Sequence, residues 1–64
     1  MKSVQERFAD LMALLEDLHG LAVEGRYPDL TEDIANALCV SLAVGLARGK
    51  QQIAVIQRLR WAAA

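Results

Sequence analysis

Sixty-four residues with one cysteine, Cys39, and one histidine, His19, exclude an internal disulfide and a zinc site of paired Cys or His residues, so any reinforcement of so short a chain must come from another copy or a partner. The composition is 55% hydrophobic but only 5% aromatic, dominated by Ala and Leu, which form helices and here lack the alternation of a half-buried strand. Net charge is −1, yet residues 1–33 hold all eight acids and three bases, a net of −5, while residues 34–64 hold four bases and no acid, a net of +4. That asymmetry suits two antiparallel arms that attract each other, and the near-zero total argues against a nucleic-acid binder.

The chain begins Met1-Lys2-Ser3 and runs into charged residues rather than an apolar stretch, so no signal peptide is expected, and the lone thiol suits a reducing, cytoplasmic setting. Ser3-Val4-Gln5-Glu6 has the S-x-x-E form of a capping box. A first helix is expected over about 4–24. Its apolar seam, stepping by four and three, is Val4, Phe8, Leu11, Leu15, Leu18 and Ala22, widened by Met12, Leu14 and Leu21. Gly20 weakens this helix, and Gly25 offers a left-handed C-terminal cap.

Residues 25–31, GRYPDLT, read as the turn: Pro28 disfavours helix at Tyr27, and Thr31 can cap a second helix that opens on Glu32 and Asp33. Asp29 with Glu32 is an alternative capping box. Arg26 and Tyr27 are either a packing plug over the helix ends or an exposed contact point. The second helix is expected over about 32–61, with Arg58 and Arg60 favourably placed near its C-terminus. Gly49 leaves its course open. A long or kinked helix accounts for the residues better than a third helix turned back there, because RGKQQ has little turn chemistry beyond the glycine.

The uncharged run Ile34–Ala47 has 14 residues. As a helix it reaches about 21 Å, short of the roughly 30 Å of a bilayer core, so a membrane span is not expected. Ala37, Ser41, Gly45 and Gly49 form a row of small residues four apart, which lets another backbone approach closely. Ile34, Leu38, Leu42, Leu46 and Ile53 stand beside the row. Because the helix is apolar nearly all round, one partner helix does not cover it. Folded back at Pro28, the second helix is expected to overshoot the first by about nine residues, exposing Ile53, Val55, Ile56, Leu59 and Trp61. The fold class expected from these residues is an all-α helical hairpin in one domain, residues 1–64. It would pair into an antiparallel four-helix homodimer with Ala37, Leu38, Ser41, Leu42, Gly45, Leu46 and Gly49 at the interface.

Catalytic residues and cofactors are not expected. His19 stands alone as a surface residue, Cys39 reads as a buried inert thiol among apolar neighbours, Ser41 has no triad partners, and no phosphate loop, paired-carboxylate site or metal pattern is visible. The expected function is that of a small protein-binding regulator, an inhibitor or adaptor of another protein such as a transcription factor. It would act as a homodimer and dock through Ile53, Ile56, Leu59, Arg60 and Trp61. The alternatives are a nucleic-acid-binding dimer using the basic C-terminal helix, or a structural subunit of a larger assembly.

Overall fold

A computed structural model of the chain describes residues 2–63, with the side chains of residues 2–59. Two helices account for nearly all of it: α1, Val4–Glu24, and α2, Glu32–Ala63, packed antiparallel as a hairpin. The capping box forms at the start of α1. The Ser3 hydroxyl accepts the Glu6 backbone N–H at 3.0 Å, and the Glu6 carboxylate accepts the Ser3 N–H at 3.5 Å. At the start of α2 the Thr31 hydroxyl accepts the Ile34 N–H at 3.2 Å, so Thr31, not Asp29, is the cap.

Three local expectations need correction. Gly25 is not left-handed: it sits at φ −66° and ψ −10°, and its N–H bonds back to the Leu21 and Val23 carbonyls. The chain leaves α1 through successive tight turns, Arg26 N–H to Val23 O and Tyr27 N–H to Glu24 O, which need no positive φ. The glycine instead provides room, since a Cβ there would lie 3.3 Å from Ala22 O and 3.8 Å from Leu38 Cδ1. Next, Gly49 neither kinks nor ends α2. The helix is one element of 32 residues, and the molecule's longest extent, 50 Å, matches the roughly 48 Å of a straight helix of that length. Finally, the opposite charges of the two halves do not pair across the hairpin. Among the described residues the one ion pair, Lys2 with Asp10, lies within the N-terminal arm, and it is too exposed to add much stability.

The seam between the helices is narrow. On α1 it is made by Val4, Arg7, Leu11, Leu14, Leu18 and Leu21, and on α2 by Ala35, Leu38, Leu42, Gly45, Gly49, Gln52 and Ile56. Phe8, Leu15 and Ala22, expected in the seam, are exposed, because the inward stripe runs through Arg7, Leu14 and Leu21 instead. Either choice satisfies the same step of three and four, so the spacing could not decide between them.

Gly45 and Gly49 explain how the helices come so close. A Cβ on Gly45 would overlap Leu18 Cδ2 and stand 3.2 Å from its Cγ, and one on Gly49 would meet Leu14 and Leu11 at 3.7 and 3.9 Å. Gly20 is the contrast, with nothing within 4 Å of a Cβ. Gly20→Ala is therefore expected to stabilise the chain by about 1 kcal/mol through helix propensity alone. In a thermal melt followed by circular dichroism, that is a rise of roughly 4–8 °C.

Candidate functional site

Antiparallel packing sorts the flanking residues into two faces by a simple rule. Each residue turns about 100° around its helix, so residues one step after a seam position fall on one flank and residues one step before it on the other. Reversing the direction of α2 also reverses its sense of rotation, so the steps after the seam from both helices share a face of the hairpin. Phe8, Met12, Leu15 and Ala22 follow Arg7, Leu11, Leu14 and Leu21, and on α2 Cys39, Leu46 and Ile53 follow Leu38, Gly45 and Gln52. The opposite face gathers Glu6, Asp10 and Asp17 of α1 with Ser41, Arg48, Gln51 and Val55 of α2.

One face therefore carries most of the large apolar side chains and the other most of the charge, although Lys50 and His19 also follow the seam and Ile34 and Val44 also precede it. On the apolar face Phe8 is 49% exposed, Met12 59%, Leu15 51%, Leu46 58% and Ile53 46%, large side chains left in water by the hairpin alone. The polar face holds an open groove of about 250 Å³ lined by Arg7, Asp10, Arg48, Gln51, Gln52 and Val55, which confirms that the steps before the seam from both helices meet there. Arg7 Nε and Gln52 Oε1 are buried at its floor without hydrogen-bond partners. The groove brings hydrogen-bond donors and acceptors together but no nucleophile beside a base.

The sequence-derived site residues fall in different places. Leu38 and Leu42 are half-buried, and Gly45 and Gly49 buried, against the chain's own α1, whereas Ala37, Ser41 and Leu46 are exposed. The small-residue row does not keep to one face because a step of four falls about 40° beyond a full turn. The row starts on the polar flank and winds into the seam, so Gly45 is occupied by Leu18 of the same chain.

The expected C-terminal overhang also fails to appear. Gly25 meets Leu38 and Gly45 meets Leu18, a register that sets the first turns of α2 beside residues 25–31 and brings its later turns alongside the start of α1. Ile56 is consequently 4% exposed, the most buried apolar side chain described, and is not free for a partner. Val55 and Leu59 are half-buried and Ile53 is exposed, while the side chains of Arg60 and Trp61 lie outside the described residues. Cys39 is exposed, not buried, because it follows the seam and a hairpin has no further helix to cover it. His19 and Ser41 are exposed, as are Arg26 and Tyr27 in the turn.

Among the described residues no group of three or more His, Cys, Asp or Glu is placed to hold a metal ion, and no helix is long and apolar enough to cross a membrane. Fold and surface define an all-α helical hairpin with its large exposed apolar side chains mostly on one face. No protein-family model, curated protein or solved structure matches the chain.

Proposed function

We propose that the chain is a small non-enzymatic regulator that works by docking apolar helical surface onto protein, first onto a second copy of itself and then, as a homodimer, onto a partner whose working surface it covers. The observation that carries this reading is the surface left over by the hairpin. The chain exposes 5255 Å², about 1,200 Å² more than the roughly 4,000 Å² of a compact protein of 7.0 kDa. Its radius of gyration is 15.1 Å, against about 11 Å for a compact globule of 64 residues. Among the described residues only Leu18 and Ile56 are buried apolar side chains. So small a described core does little to offset the conformational entropy of the chain, which supports burial of further surface by association.

Association and folding are coupled in this reading, and dilution tests it. Helical circular dichroism is expected to melt at a lower temperature as the protein is diluted, because mass action favours separated, unfolded chains. A melting midpoint that stays constant across concentration would contradict the reading.

A further inference from the structure

We infer that the second copy covers the face made by Phe8, Leu15, Leu46 and Ile53, and that the polar groove of Arg7, Asp10, Arg48 and Gln51 stays outermost in the dimer. The inference rests on the self-association proposed above and adds which face is used. Phe8 and Leu15 are seven residues apart on α1, and Leu46 and Ile53 seven apart on α2, so each helix presents a second heptad stripe beside the one already used in the hairpin. A helix with two adjacent heptad stripes packs against two neighbours, which is the position of every helix in a four-helix bundle.

Size agrees with this assignment. A second copy laid along the whole hairpin, 50 by 16 Å, would cover a footprint of roughly 800 Å², the amount each partner contributes to a stable interface of standard size. Charge agrees as well. Glu6, Asp10, Asp17 and Arg48 lie on the opposite face, against Lys50 on the inferred one, so burying that opposite face against a second copy would strip water from more charges that have no partners across the hairpin. On the groove side Ile34 and Val44, which precede Ala35 and Gly45, are exposed apolar side chains too, but they offer less apolar bulk than Phe8, Met12, Leu15, Leu46 and Ile53.

Leu46 and Val44 make a controlled pair for the test. They are 58% and 57% exposed in the hairpin, two residues apart on one helix, and only Leu46 lies on the inferred interface. In a Cys39→Ser background, Leu46→Cys and Val44→Cys are each labelled with a maleimide across a concentration series, with mass measured by light scattering on the same samples. For a dimer, a rise of about a hundredfold in concentration lowers the monomer fraction about tenfold. Labelling at position 46 is expected to slow by about that factor while labelling at position 44 does not. Slowing at 44 alone, or equal slowing at both, overturns the inferred face while self-association stands. A mass fixed at 7.0 kDa, with neither rate changing, overturns the self-association reading and the face together.

Discussion

Gly45→Leu is expected to separate the two helices and unfold the chain. A Cβ alone overlaps Leu18 Cδ2, and Leu18 is itself 8% exposed and has little free space to move into. Over-packing of this kind costs about 1–3 kcal/mol, more where the backbone must retreat, and it outweighs the roughly 1 kcal/mol gained by replacing a helical glycine. In urea titrations followed by circular dichroism the midpoint should fall sharply. Shortening the obstructing side chain should restore part of the loss: in Gly45→Leu with Leu18→Ala, the two changes should couple favourably by about 0.5–3 kcal/mol. Additive losses would mean that Gly45 does not rest on Leu18.

Ile56→Ala is expected to act through stability rather than through recognition of a partner. Ile56 is 4% exposed, and truncating a buried isoleucine to alanine costs about 2–5 kcal/mol. That is a large share of what a chain with two buried apolar side chains among its described residues has available. The helical signal at working concentration should drop, with a lower melting midpoint. Unchanged stability would return Ile56 to the exposed surface that its place near the C-terminus first suggested.

The local signals in the sequence were legible because each is set within a few residues. Ser3 with Glu6 forms a capping box wherever a helix begins there, Thr31 caps a helix three residues before Ile34, and Pro28 holds the turn, all without reference to the rest of the chain. Rotation about the helix axes was not legible. α1 carries Phe8, Leu15 and Ala22 beside Arg7, Leu14 and Leu21, two stripes of equal period, and periodicity cannot say which faces the partner helix. The second lies inward because Gly45 and Gly49 open space that Leu18 and Leu14 fill.

The candidate surface was legible in kind but misplaced in detail. Excess apolar area followed from composition and length alone. Its location depended on the register between the helices, which residues 25–31 set by running beside the first turns of α2 and shifting the rest of α2 toward the start of α1. A count of helix lengths treats the turn as having no length, and so it left Ile56 and Leu59 beyond the end of α1. The polar groove went unnoticed because Asp10 and Arg48 are 38 residues apart in sequence and meet only once the helices are antiparallel.

On the proposed function the hairpin is half of a folded unit, and solution mass is the decisive test. Light scattering across a concentration series, with circular dichroism on the same samples, should give a helical species of about twice the 7.0 kDa chain mass. A fully helical, cooperatively melting species that holds 7.0 kDa at every concentration would contradict the claim.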